Sequence, residues 1–238
     1  MDHHPLATWL LGAASATVAL SSTAAPSCSA RAGAAPTVIE LYTSEGCSSC
    51  PPADRWLSTL RAGPELVALA FHVTYWDKLG WPDRFASADY TERQRQMVQP
   101  SGSRYAYTPQ VIANGQDWRS WPRLPPARTS TAPTLSLTRD GDTVTAHIGT
   151  APGTLAGYWA VVEDGHVSNV RAGENAGETL RHDHVVRRYE PLPGWPGAQA
   201  RQFQWRAPAA STPNPRRVVF VVTDAASQRP LQAVALGC

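Results

Sequence analysis

The chain has 238 residues, 42% of them hydrophobic and 17% charged, with a net charge of +2. That composition excludes a disordered chain, and the near-balanced charge excludes a phosphate-binding surface for nucleic acid, which needs clustered cations. The densest basic spots, Arg187-Arg188 and Arg216-Arg217, are isolated pairs that read as solvated surface.

Residues 1–30 read as a signal segment. Leu6 to Leu20 is apolar and small, and Ser21-Ser22-Thr23-Ala24-Ala25 forms a small-residue cleavage zone, although no Lys or Arg precedes it. Cleavage after Ala24 would keep Cys28 in the mature protein, and Ala25-Pro26-Ser27 is a poor lipoprotein signal. The apolar run is below the roughly 18 to 20 residues a bilayer span needs. The expected location is periplasmic or secreted, with no membrane span in the mature chain; an uncleaved anchor and a plain tail are the alternatives.

Within residues 36–117, Thr37–Thr43 is a β-branched run and predicts a strand, broken by Ser44-Glu45-Gly46. From Cys47 to Leu60 the pattern is helical, with Ala53, Trp56, Leu57 and Leu60 on one face. Pro51 and Pro52 fall in the first turn, where a missing N–H costs little, and Gly63-Pro64 stops the helix. Leu66–Val73 is almost continuously apolar and fits a strand buried on both faces of a parallel sheet. Thr74 to Arg84 reads as a loop, and Ala86 to Gln99 as a polar helix with Tyr90, Gln94 and Met97 on one side. Thr108–Ala113 predicts another strand, closed by the hairpin signal Asn114-Gly115. The βαβ order points to α/β architecture.

Residues 118–133 hold Pro122, Pro125, Pro126 and Pro133 and read as a linker. Residues 134–238 look all-β. Thr134–Thr138 and Thr143–Ile148 flank a hairpin at Asp140-Gly141, and further strands are expected at Gly157–Val162, Thr179–Tyr189, Arg201–Trp205, Arg216–Val222 and Leu231–Leu236. Their spacing suggests a small sandwich-like domain.

There are four cysteines: Cys28, Cys47, Cys50 and Cys238. An even count in an exported chain suggests pairing. Cys47 and Cys50 are close enough in sequence to pair with each other, which leaves Cys28 with Cys238 as a structural disulfide worth about 4 kcal/mol in the chain-entropy view. Two unpaired tail thiols are the alternative. Cys47-Ser48-Ser49-Cys50 lies between a strand and a helix, and a helix N-terminus favours a thiolate. Cys47 is then the attacking thiol and Cys50 the resolving one. Glu45 and Asp54 act the other way, because a nearby carboxylate raises a thiol pKa. Half of a zinc site completed by His182-Asp183-His184, and a purely structural disulfide, compete with the redox reading.

Thr108-Pro109 opens the strand that follows the second helix. In thioredoxin-like folds a cis proline there faces the dithiol, so Pro109 is expected cis and beside Cys47. The expected fold class is an α/β thioredoxin-like core followed by a C-terminal all-β, sandwich-like region. His72, Tyr75, Trp76 and Asp77 follow the buried strand at the end where α/β sites form, and together with Thr108 they are expected to line the cleft. Gly173-Glu174-Asn175-Ala176-Gly177 reads as a tight turn whose polar pair reaches across to the first domain. His182 and His184 are expected on one side of a single strand.

The run Val38 to Asp54, with Phe71 to Trp81, Tyr107-Thr108-Pro109-Gln110, Arg171 to Gly177 and His182 to Arg187, resembles a bacterial exported thioredoxin-like family catalogued as domain of unknown function twelve-twenty-three. The resemblance covers roughly Thr37 to Cys238 apart from the linker. It implies a thioredoxin-like core, a C-terminal β region and export, and supplies no substrate or reaction. Family members show a helix after the Asn-Gly hairpin, whereas Trp118 to Pro126 here is proline-rich.

The functional expectation is an exported thiol–disulfide oxidoreductase acting on protein thiols or disulfides. Cys47, Cys50 and Pro109 are its catalytic residues, and no cofactor or metal is assigned. The alternatives are a non-catalytic scaffold or binding module with a structural disulfide, and a metal-handling protein. A redox pair should leave the Cys47 sulfur partly exposed beside Pro109 with Cys50 buried; a scaffold should seal both.

Overall fold

Alternating and continuous apolar runs decide most of the architecture. The computed structural model describes residues 1, 28–128 and 132–238. In chain order these form β1 (Cys28–Arg31), β2 (Thr37–Thr43), α1 (Pro51–Thr59), β3 (Leu66–His72), α2 (Ala88–Met97), β4 (Gln110–Ala113), β5 (Gln116–Asp117), β6 (Leu135–Asp140), β7 (Thr143–Ile148), β8 (Thr154–Glu163), β9 (His166–Asn169), β10 (Thr179–His182), β11 (Val185–Pro196), β12 (Arg201–Arg206), β13 (Arg216–Asp224) and β14 (Pro230–Leu236). A 3-10 turn covers Asp77–Leu79. Residues 2–27, which carry most of the expected signal segment, lie outside the described residues, as do residues 129–131 of the expected linker. Among the described residues no helix is long and apolar enough to cross a membrane.

The expected α/β thioredoxin-like core with a following all-β region is corrected. The described chain is mostly β, with two α-helices, and its largest sheet has eight strands in the order β14-β13-β8-β11-β3-β2-β4-β5. β11 lies parallel to β3, with Val185 opposite Ala70 and the Ala70 N–H donating to His184 O at 2.7 Å. β8 and β13 continue from β11 in antiparallel pairs, and β14 from β13. One sheet therefore runs through both halves of the chain. The reason is the free edge of β3. Its Leu66–His72 run is apolar on both faces, and β2 satisfies only one edge; a buried open edge would leave backbone groups unpaired. A strand from the second half supplies the other edge. In addition, the prolines of Trp118–Pro126 deny that stretch a helix, so the helical layers of an α/β fold are never completed.

Period-two alternation splits β2 between two cores. Ile39 and Leu41 face α1, packing with Ala53, Trp56, Leu57, Ala68 and Val111. Val38 and Tyr42 face α2, packing with Leu69, Phe71, Tyr90 and Met97, and this core continues into Tyr158 and Val221 of the second half. A second, four-stranded sheet, β1-β6-β7-β12, closes a third core around Leu137, Trp159, Trp205 and Phe220. Cys28 on β1 pairs with Cys238 after β14, which fastens the edges of the two sheets together.

The expected Thr179–Tyr189 strand is broken. β10 pairs with β9 in a two-stranded sheet, the chain turns at Asp183-His184 with His184 at φ 58°, and β11 then enters the large sheet. The turn is held by the Gly165 N–H on Asp183 Oδ1 and by the His184 N–H on Asp164 Oδ1. His182 and His184 consequently do not share a strand face.

Candidate functional site

β2 delivers the chain into the turn Ser44–Gly46, where the Cys47 N–H donates to Ser44 O. Cys50 takes the N-cap position of α1, Pro51 and Pro52 fill the first turn, and the Ala53 and Asp54 N–H groups donate to Cys50 O. Cys47 and Cys50 are disulfide-bonded, with Cα atoms 5.4 Å apart. The Thr108–Pro109 bond is cis, and Thr108 Oγ1 donates to Cys47 Sγ at 3.4 Å. Trp76 Nε1 in turn donates to Thr108 Oγ1 at 2.8 Å, and Ser49 Oγ lies 3.4 Å from Cys47 Sγ. Ser48 and Ser49 are exposed, but Cys47 and Cys50 are both 0% exposed. Both sulfurs are sealed, the arrangement expected of a scaffold rather than of a redox pair with Cys47 partly open.

A segment from far along the chain is tied to the cysteine turn. Between β9 and β10, the loop 170–178 turns through two positive-φ glycines, Gly173 (φ 74°) and Gly177 (φ 92°). Glu174 Oε2 accepts hydrogen bonds from the Ser48 N–H at 3.0 Å and Ser48 Oγ at 2.8 Å. Those two donors hold the Glu174 carboxyl below its usual range. Asn175, itself buried, donates through Nδ2 to Glu45 O at 2.8 Å and Cys47 O at 3.0 Å. The polar pair of this turn thus reaches the cysteine segment directly.

Beside the disulfide lies a buried polar cluster. His72 Nδ1 is 2.6 Å from Asp83 Oδ2, and the Glu45 N–H donates to the same oxygen. Burial alone would raise the Asp83 carboxyl, but His72 against it and the backbone donors hold it low. His182 Nε2 faces Glu45 Oε1 at 3.4 Å and its Nδ1 faces Asp54 Oδ1 at 3.9 Å. Burial disfavours charge on His182, yet Asp54 and Glu45 outweigh it and raise the imidazole to about 10. Trp81 Nε1 donates to Glu45 Oε2, and Thr43 Oγ1 to Asp54 Oδ2. Both carboxylates expected to oppose a Cys47 thiolate thus face His182.

The family described as "Protein of unknown function (DUF1223)" matches residues 38–223, which include every residue of this site. The chain belongs to DUF1223. No curated protein matches it. A crystal structure of protein AGR_C_4864 from Agrobacterium tumefaciens is similar at 26% identity and a TM-score of 0.63, over 86% of this chain and 95% of that one. HBP35 of Porphyromonas gingivalis is similar in fold at 13% identity and a TM-score of 0.55, over 86% of this chain and 75% of that one.

In this DUF1223 chain the expected cleft residues separate into two groups. Thr108, Pro109 and Trp76 gather at the Cys47 side, with Tyr75 packed on Trp76 and donating to Gln94 Oε1. His72 and Asp77 turn instead toward Asp83, whose N–H donates to Asp77 Oδ1. His184 lies elsewhere, against Leu60 O and Arg217. The sequence reading missed Asp83 as the partner of His72, and no local spacing marks it. Glu45 and Asp54 were noticed only as carboxylates near a thiol; their alignment with His182 needs the β9–β10 hairpin to fold over α1.

Proposed function

We propose that Cys47 and Cys50 form the thiol–disulfide exchange centre of an exported protein, with protein thiols or disulfides as partners and the loop 170–178 as its cover. The observation that carries this reading is the seat of the sulfur pair: between the end of β2 and the first turn of α1, with the Thr108 hydroxyl on Cys47 Sγ. Free N–H groups at a helix start stabilise a thiolate. His182 meets the Glu45 and Asp54 carboxylates, which lessens their opposition to that charge. In the reduced protein, Cys47 thiolate attacks a partner disulfide, forming a mixed disulfide and releasing one partner thiolate. Cys50 thiolate then attacks Cys47 Sγ, releasing the second partner thiolate and restoring Cys47–Cys50. Electrons pass from the Cys pair to the partner, and the reverse sequence oxidises a partner dithiol. A partner reaches Cys47 only after the contacts of Glu174 and Asn175 to the cysteine segment break.

The zero exposure of both cysteines favours a second reading, a structural crosslink in a binding module. Reduction under native conditions separates the two. In an insulin-reduction assay with dithiothreitol, the exchange reading expects turnover that is lost in Cys47→Ser and reduced in Cys50→Ser. Activity that survives Cys47→Ser, or a Cys47–Cys50 bond that dithiothreitol reduces only after global unfolding, sinks the exchange reading and leaves the crosslink.

A further inference from the structure

We infer that Asp54, His72 and His182 form a binding site for one divalent transition-metal ion of the zinc class. The three residues come from α1, β3 and β10, are each nearly or fully buried, and present donor atoms that all lie within 4.8 Å of one another. Around a tetrahedral zinc ion, neighbouring donors stand roughly 3.3 Å apart for bonds of about 2 Å, so small side-chain rotations close the set.

The state of the ring nitrogens points to a cation. His72 is 0% exposed and its Nδ1 is committed to Asp83, which makes Nδ1 the protonated nitrogen and leaves a lone pair on Nε2. His72 Nε2 has no hydrogen-bond partner, and neither nitrogen of His182 makes a well-formed hydrogen bond, its Nε2 standing 3.4 Å from Glu45 Oε1. Buried polar atoms are rarely left so. A proton on His182 would answer the two carboxylates but leave the His72 lone pair unused; a metal ion uses it. The surroundings also match what metal ligands require. An imidazole ligand donates its other N–H to a carboxylate, as His72 is placed to do to Asp83 and His182 to Glu45. The ligating carboxylate is itself held, Thr43 Oγ1 donating to Asp54 Oδ2 at 2.9 Å. Two imidazoles and one carboxylate suit borderline divalent ions rather than calcium or magnesium. A cavity of about 110 Å³, lined by Pro51, Asp54, Arg55, Leu180 and His182, reaches two of the three ligands from outside. Three protein donors leave the fourth position to water.

The test uses the untagged, oxidised full chain in a His3→Gln, His4→Gln background, so that the N-terminal pair cannot report. After chelator treatment it is titrated with Co²⁺, with Zn²⁺ as competitor. One equivalent of Co²⁺ should give visible ligand-field absorption that Zn²⁺ abolishes. X-ray absorption of the Zn²⁺ form should show two imidazoles and light oxygen donors, without sulfur. His72→Gln and His182→Gln should lose binding, Asp83→Asn should weaken it about 10- to 100-fold, and His166→Gln, a buried histidine outside the set, should leave it unchanged. Absence of the Co²⁺ signal, sulfur in the Zn²⁺ shell, or full affinity in folded His72→Gln overturns the site. Should the histidine variants fail to fold, the absorption shell decides alone.

Discussion

A single side chain ties the cover to the cysteine segment from inside. Asn175 has both Nδ2 hydrogen bonds on backbone carbonyls, those of Glu45 and Cys47, and the residue is only 6% exposed. Glu174 binds Ser48 from outside, in water, where such a contact contributes little. Asn175→Ala leaves the Glu45 carbonyl without its donor and the Cys47 carbonyl with the Cys50 N–H alone, and an unsatisfied buried acceptor costs about 1–3 kcal/mol. Denaturant unfolding should show that loss. Alkylation of Cys47 after reduction should become faster in the same variant, whereas Glu174→Ala should change stability little. Cys47, Cys50 and the strand–turn–helix frame around them were legible from spacing, because a Cys-x-x-Cys beside two prolines leaves the local backbone few options. Their full burial was not, and neither was the tie from Asn175, which lies 128 residues from Cys47 in the chain.

At the scale of elements, the decisive joint is the turn between β10 and β11, where the chain leaves one sheet for another. Asp164, just after β8, accepts the His184 N–H and is paired with the Arg217 guanidinium of β13, so one carboxylate pins three strands. Partial burial would raise the Asp164 carboxyl, but the Arg217 hydrogen bond and the His184 N–H pull it below its ordinary value. A carboxyl depressed in the folded state adds stability above its unfolded pKa, and that contribution disappears as pH falls through the folded one. Acid titration of stability should therefore be flatter in Asp164→Asn than in the parent chain between about pH 5 and about pH 2, with the difference vanishing at the acid end. The sequence reading placed strand character throughout Thr179–Tyr189 correctly except at this joint. The break depends on an Asp164 side chain 20 residues away and on a left-handed His184.

For the whole molecule, the eight-stranded sheet joins the two halves. β3 meets β11 on one side and β2 on the other, and the core around Tyr42 and Phe71 includes Tyr158 and Val221. Glu40 on β2 adds a buried link, paired with Arg93 of α2 and accepting from Tyr158 of β8. A fragment ending near residue 128 would expose the β3 edge and leave Glu40 without Tyr158. Such a fragment should self-associate or remain unfolded in size-exclusion and circular-dichroism measurements, while the intact chain should unfold in one transition. A folded monomeric fragment would count against a shared sheet.

Sequence alone determined most of the strands with their alternating faces, the two helices, the Asn114-Gly115 hairpin and the Cys47/Cys50 pairing; it missed β1, β5 and β9 and favoured Cys28/Cys238 over two unpaired tail thiols. The features it determined follow from backbone sterics and side-chain periodicity within a few residues, whereas the structure, not the sequence, joined Cys28 to Cys238. Tertiary structure alone decided that β11 fills the free edge of β3, which overturned the expected fold class. It also decided that both sulfurs are buried, that the loop 170–178 is tied to the cysteine segment, and that Asp54, His72 and His182 meet. Those outcomes depend on which distant edges and buried polar atoms satisfy one another, a choice made by burial and hydrogen bonding across the assembled chain and carried by no local spacing.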